Sequence, residues 1–97
     1  MFLPAVVRFN AQAESVQKER RLERMAHAMG LASASDIPEA IRDMNARLGL
    51  PTGLAAMGVT PDVFDDVIKG AMADHCHKTN PRVATPEQYR EMLHQSL

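Results

Sequence analysis

The stretch TPDVFDDVIKGAMAD, residues 60–74, has a helical pattern of capping and apolar residues from which the fold class can be predicted. Thr60 can accept a backbone N–H at a helix N-cap, and Pro61 is tolerated at the first helical position because its missing N–H would have no partner there. The apolar residues that follow recur at helical spacing, as they do in a helix with one buried face. They are Val63, Phe64, Val67, Ile68, Ala71 and Met72. This stretch predicts an amphipathic helix.

Two segments before it show the same period. Residues 16–31, VQKERRLERMAHAMGL, predict one continuous amphipathic helix that Gly30 terminates. Residues 35–51, SDIPEAIRDMNARLGLP, predict a second helix, with Asp36 and Glu39 at capping positions and with Gly49 and Pro51 closing it. The expected buried stripes are Leu22, Met25, Ala26 and Met29 in the first helix and Ile37, Ile41, Met44 and Leu48 in the second.

The last predicted helix begins at Thr85-Pro86, where Gln88 occupies the third position of a capping box. Two shorter pieces are also expected to be helical: LPAVVRFNAQ once past Pro4, and a single turn in TGLAAMG. No alternating run of useful length occurs in the chain. The fold class is therefore predicted to be all-α, a small domain of four main helices with short N-terminal and central helical pieces.

Length and composition exclude several classes of function. The 97 residues fit one domain, and a net charge of -1 gives no basic field to hold nucleic acid or an anionic membrane. A single cysteine cannot form an intrachain disulfide, and the start MFLPAVVRFN resembles neither an export leader nor a membrane span. We expect no nucleic-acid or membrane partner and a cytoplasmic location.

The stretch ADHCHKTNPR, residues 73–82, is chemically the most conspicuous. Asp74, His75, Cys76 and His77 are metal-ligand types, but adjacent helical residues point about 100° apart and rarely converge on one ion. Cys76 could instead be a nucleophile beside two histidines, or a small buried residue near a helix end. Spacing argues against a metal site, and the small buried residue is favoured over a catalytic thiol because free cysteine is among the most buried residue types. His27 and His94 are expected to be ordinary surface histidines.

The opening of the chain is almost wholly apolar, whereas chain termini are usually polar. Its apolar residues are Met1, Phe2, Leu3, Val6, Val7 and Phe9. We expect residues 1–10 to pack against chain that lies outside this sequence, or against a second copy.

Three motifs in order resemble the C-terminal part of the iron-containing alcohol dehydrogenase family. They are LPAVVRFN at the start, LGLPTGLAAMGV followed by TPDVFDDVIKGAMAD in the middle, and HCHKTNPRVATPEQYREML at the end. The resemblance covers essentially all of residues 1–97, and the ordered set is far more specific than any one motif.

The resemblance implies a two-part enzyme that transfers a hydride between NAD(P) and an alcohol or aldehyde. Its N-terminal part would be a dinucleotide-binding domain, and the active site would lie in the cleft between the two domains. A divalent metal, iron or zinc, would be held by one Asp and three His that lie upstream of LPAVVRFN. None of His27, His75, His77 or His94 matches those ligands, so this chain is expected to hold neither metal nor NAD(P) by itself and to contain no catalytic residue.

The resemblance also implies that this chain forms one wall of a substrate pocket. Cys76 aligns with a family position that lines the substrate cavity, and His75 and His77 are expected on the same wall. Asn80, Pro81 and Arg82 match a turn whose expected role is structural, with Asn bonding local backbone and Pro fixing the exit into the last helix.

Three hypotheses follow. The leading one is that residues 1–97 are the C-terminal helical domain of such a dehydrogenase, inactive alone, with the missing N-terminal domain as its partner. The alternative is a stand-alone helical interaction module derived from that domain, which uses its apolar opening to bind a partner or to form a homo-oligomer. The third is a small metal-binding protein that uses His75, Cys76 and His77.

Overall fold

The computed structural model describes all 97 residues and contains no β-strand, so the all-α prediction is confirmed. Its six α-helices are α1 (Leu3–Asn10), α2 (Glu14–Lys18), α3 (Arg21–Ala28), α4 (Ile37–Arg47), α5 (Phe64–Ala73) and α6 (Pro86–Gln95). Short 3-10 turns cover Ala34–Asp36, Ala55–Met57, Pro61–Val63 and His75–Lys78. The predicted N-terminal helix and central turn are both present.

The prediction of one continuous helix over residues 16–31 is wrong, because the chain breaks between α2 and α3. Arg20 takes a left-handed conformation there, with φ of 49°. A continuous helix would place Val16 about 130° around the axis from the stripe of Leu22, Met25 and Ala26. The break lets α2 and α3 turn independently toward the core, so that Val16 and Ala26 are both buried.

The core consists of two clusters that α1 joins. One contains Val7, Ala26, Ile37 and Ile41, and the other contains Leu54, Phe64, Ile68 and Leu93. The first helix packs against α4 on one side and α6 on the other, and α5 packs against α6. Burial of these apolar side chains supplies the main driving force for folding.

Several residues of the predicted stripes lie outside this core. Met29, Met44, Leu48, Val63 and Val67 are exposed, with Leu48 exposed by 66%. The chief neighbours of α4 are α1 and the turn Ala34–Asp36. The second half of α4 therefore continues beyond the packed region, and its helical period alone did not reveal this.

Capping was predicted correctly at one helix and wrongly at two. Thr85 and Gln88 form the predicted capping box, with the Thr85 hydroxyl accepting from Gln88 N and the Gln88 side chain accepting from Thr85 N. Asp36 makes no side-chain cap, because a 3-10 turn precedes α4 and the Ser33 hydroxyl caps that turn. The Thr60 hydroxyl donates to the Asp62 carboxylate instead of accepting from backbone.

The apolar opening is divided between core and surface. Pro4, Ala5 and Val7 are buried inside the chain's own fold, whereas Phe2 and Leu3 are exposed by 44% and 51%. The expectation that residues 1–10 pack elsewhere therefore concerns at most the outer face of α1. None of the helices has both the length and the apolar character needed to cross a bilayer.

Candidate functional site

The candidate site is built on the turn that follows α5. Asp74 leaves the helix in an extended conformation, with φ of -72° and ψ of 140°, and caps the 3-10 turn His75–Lys78. Its carboxylate accepts the N–H of Cys76 at 2.7 Å. Aspartate favours this arrangement because its short side chain can satisfy a backbone donor two residues on. The cap fixes the direction in which the next side chains leave the turn.

His75 and Cys76 are exposed neighbours on this turn. The His75 side chain is 89% exposed, with Nε2 at 3.4 Å from Cys76 Sγ and Nδ1 at 3.6 Å from Asp74 Oδ1. Cys76 is also exposed, so the interpretation of it as a small buried residue is wrong.

His77 points the opposite way, toward α6. Its Nδ1 lies 3.0 Å from the hydroxyl of Tyr89, and the two ring centroids are 5.7 Å apart. His77 is half-buried, and its hydrogen-bond partner is Tyr89 and not His75 or Cys76.

A cavity of about 530 Å³ lies beneath the turn, between α1, α5 and α6. Cys76 and His77 are among its lining residues, and His75 is not. Most of the lining is apolar, including Phe9 and Val67. The remaining lining residues are Val6, Asp66, Gly70, Ala71, Asp74, Asn80, Ala84, Tyr89 and Met92. No Lys or Arg is among them, so the cavity is an apolar groove with an acidic edge.

Three groups around the turn, Asp74, Cys76 and Tyr89, have shifted pKa values. The backbone N–H of Cys76 lowers the pKa of the Asp74 carboxyl, which is therefore charged at neutral pH. The hydrogen bond and the negative charge of Asp74 raise the pKa of the Cys76 thiol. Burial, and then the charge of Asp74, raise the pKa of Tyr89. Cys76 is thus a thiol and not a thiolate at neutral pH, which argues against an activated nucleophile.

A second network holds the loop between this turn and α6 against α1. Asn80 donates to the Arg82 carbonyl oxygen at 2.6 Å, as expected for an asparagine that satisfies local backbone. It also bonds to the Asn10 side chain, and Arg82 donates to the Phe9 carbonyl oxygen at 3.2 Å with its guanidinium 4.2 Å from the Phe9 ring centroid. Sequence reasoning missed Asn10 and Phe9, because nothing local marks partners so distant in the chain.

The chain's own residues do not form the ligand set that the resemblance implies for iron or zinc. His27 and His94 are surface residues on α3 and α6, as predicted, and His94 stands edge-on to Phe64 with centroids 5.1 Å apart. One group of potential ligands does converge: Asp74, His75 and Cys76, with ligand atoms within 4.8 Å of one another. The expectation that adjacent residues would diverge is wrong for these three, because Asp74 is extended and not helical. No βαβ unit is present to bind a dinucleotide.

Comparison with known proteins adds the following. The family model described as "Fe-containing alcohol dehydrogenase family, C-terminal" matches residues 1–97. The chain is 56% identical over 95 residues to 4-hydroxybutyrate dehydrogenase of Cupriavidus necator, covering 98% of this chain and 25% of that protein. It is 31% identical over 106 residues to NAD-dependent methanol dehydrogenase of Bacillus methanolicus, covering 98% of this chain and 26% of that one.

Lactaldehyde reductase of Escherichia coli K12 is 31% identical over 99 residues, which cover 97% of this chain and 26% of that protein. The chain therefore spans about a quarter of the length of the curated relatives it matches. No solved structure matches it significantly.

Proposed function

This chain belongs to the Fe-containing alcohol dehydrogenase family, and on that premise we propose that it is the C-terminal helical domain of an enzyme that oxidises a primary alcohol with NAD(P). The NAD(P) site belongs to an N-terminal domain, and the ligands of the catalytic metal lie upstream of residues 1–97. The proposal is supported by the match over the whole chain and by the relatives being about four times as long.

The domain contributes one wall of the substrate cleft. The single observation that carries this role is the position of Cys76 and His77 at the edge of the apolar cavity between α1, α5 and α6. Clefts that bind small molecules are typically apolar with a few polar groups that fix orientation. His77 and Tyr89 provide such groups, and their mutual hydrogen bond fixes the ring of His77.

We propose a short ω-hydroxy acid as the substrate, with 4-hydroxybutyrate as the leading candidate because the most similar of the three relatives above acts on it by name. The apolar lining suits the methylene chain of such a molecule. Asp66 and Asp74 are the carboxyl side chains in the lining, and no Lys or Arg accompanies them. Like charges repel, so the substrate carboxylate would be held by residues of the N-terminal domain.

A domain exchange tests this proposal. The C-terminal region of the Cupriavidus necator enzyme is replaced by this chain, and NAD(P) reduction with 4-hydroxybutyrate is measured. Val67→Phe, an exposed position on the cavity wall, is expected to raise KM several-fold by filling the cavity. His27→Ala, on α3, is the control and should leave KM unchanged. An unchanged KM in Val67→Phe would contradict the proposed wall.

An interaction module is the second candidate, favoured by the exposure of Phe2 and Leu3 on the outer face of α1. Exposed apolar side chains that cluster usually mark an interface. Sedimentation of the isolated chain distinguishes the two proposals, because a self-associating module would form dimers that Leu3→Glu disrupts. A monomer at high concentration would contradict this second candidate.

A further inference from the structure

We propose that Asp74, His75 and Cys76 form a surface binding site for a borderline-soft divalent cation, of which Zn²⁺ is the leading example. One ligand atom from each residue lies within 4.8 Å of the others. This inference concerns the present chain alone and does not depend on the proposed function.

The backbone prearranges the three side chains. Asp74 is held by the hydrogen bond that its Oδ1 accepts from Cys76 N, which leaves Oδ2 available to an ion. The His75 ring lies between the other two groups, with one nitrogen toward the Cys76 sulfur and one toward the Asp74 carboxylate. Zinc bonds are about 2.0–2.3 Å long, so the ligand atoms must close by about 1 Å. The exposed side chain of His75 is free to make that movement while the Asp74 cap stays in place.

The chemistry of the three ligands selects the ion. Sulfur, imidazole nitrogen and carboxylate oxygen are the ligand types that Zn²⁺ takes in proteins, whereas Mg²⁺ and Ca²⁺ prefer oxygen alone. Binding replaces the proton of the Cys76 thiol, which passes to solvent, and the resulting thiolate and the Asp74 carboxylate together balance a double positive charge. The fourth position faces solvent, because His77 is turned away to Tyr89.

This site differs from the metal site that the resemblance implies, whose ligands lie upstream of residues 1–97. That metal is expected on one Asp and three His, with no thiol. A thiolate ligand therefore gives the present site its own spectroscopic signature, even in a protein that contains both metals. Asp74 and Cys76 also line the cavity, so an ion bound here would stand at its edge.

Cobalt titration tests the proposal. Co²⁺, a spectroscopic substitute for Zn²⁺, is added to the reduced chain after circular dichroism has confirmed its helical content. We expect saturable binding with a near-ultraviolet thiolate-to-cobalt band that Zn²⁺ displaces. Cys76→Ser should abolish the band, and His75→Ala should weaken binding by at least about tenfold. His27→Ala is the control and should bind as the unaltered chain does.

Absence of the band at saturating Co²⁺, or equal weakening by His27→Ala and His75→Ala, would overturn the proposal. If the isolated chain lacks helical structure, the titration is made on the domain-exchange enzyme and on its Cys76→Ser variant. A thiolate band there that Cys76→Ser does not remove would also overturn it.

Discussion

Asn10 of α1 and Asn80 of the loop before α6 exchange a pair of side-chain hydrogen bonds across 70 positions of the chain. Asn80 Nδ2 donates to Asn10 Oδ1 at 2.7 Å, and Asn10 Nδ2 donates to Asn80 Oδ1 at 3.1 Å. Each amide satisfies a donor and an acceptor of the other. The pair ties the turn that carries Cys76 and His77 to the helix on the opposite side of the cavity.

The first prediction concerns this pair. Asn10→Ala and Asn80→Ala should each lower the free energy of unfolding by about 1–3 kcal/mol, because each leaves a half-buried amide without its partner. The double variant should lower the free energy of unfolding by less than the sum of the two single variants, as expected for residues in direct contact. Urea unfolding followed by circular dichroism measures all three. Strict additivity would show that the two amides do not interact.

The second prediction compares two threonines that both precede a proline. Thr85→Ala should lower the free energy of unfolding by about 0.5–2 kcal/mol, because its hydroxyl caps α6. Thr60→Ala is the matched control and should lower the free energy of unfolding by less, since the Thr60 side chain accepts no hydrogen bond from a backbone N–H. Thermal unfolding measures both variants. An equal loss of stability in Thr85→Ala and Thr60→Ala would contradict the assignment of the capping box.

The third prediction compares two glycines. A Cβ at Gly53 would overlap the carbonyl of Leu97, next to the hydrogen bonds that Leu54 N and Ala55 N donate to the end of the chain. Gly53→Ala should therefore destabilise the fold by about 1–3 kcal/mol. Gly70 lies inside α5 with open space around it, so Gly70→Ala should stabilise by about 0.5–1 kcal/mol. A stabilising Gly53→Ala would contradict the close approach.

The fourth prediction uses the single tyrosine of a chain that contains no tryptophan. Phenolate absorbance should report a pKa of Tyr89 above the ordinary value of about 10, because burial and the charge of Asp74 both oppose ionisation. Asp74→Asn should lower the pKa of Tyr89 only part of the way to its ordinary value, since burial is the larger cause of the shift.

The sign of the linked stability follows. Tyr89 has a folded-state pKa above its unfolded value, so its contribution is complete below about pH 10 and is lost as pH rises through the folded pKa. The same absorbance titration in concentrated urea should return the ordinary value. A midpoint at or below 10 in the folded chain would show that Tyr89 is solvated.

Periodicity and capping residues were enough to predict an all-α fold, since helices with one apolar face leave their pattern in the sequence. They did not predict the break at Arg20, where packing of both Val16 and Ala26 outweighs the strain of a left-handed residue. Nor did they reveal that Leu48 lies beyond the core. The helical spacing of apolar residues identifies one face of a helix, but it does not say whether another element packs on that face along its whole length.

The site was predictable as a list of residues but not as a geometry. ADHCHKTNPR identified the turn, yet only the structure shows that His75 and His77 point in opposite directions. The convergence of Asp74 with His75 and Cys76 depends on one extended residue at the end of α5. The contact between Asn10 and Asn80 joins residues 70 positions apart in the chain, which no local pattern can indicate.

The central claim is that this chain completes a dehydrogenase and does not act alone. The most direct measurement is the rate of NAD(P) reduction with 4-hydroxybutyrate by three samples: the domain-exchange enzyme, its N-terminal part alone, and this chain alone. We predict activity only in the first. Turnover by the isolated chain, or a folded and metal-loaded exchange enzyme without turnover, would contradict the claim.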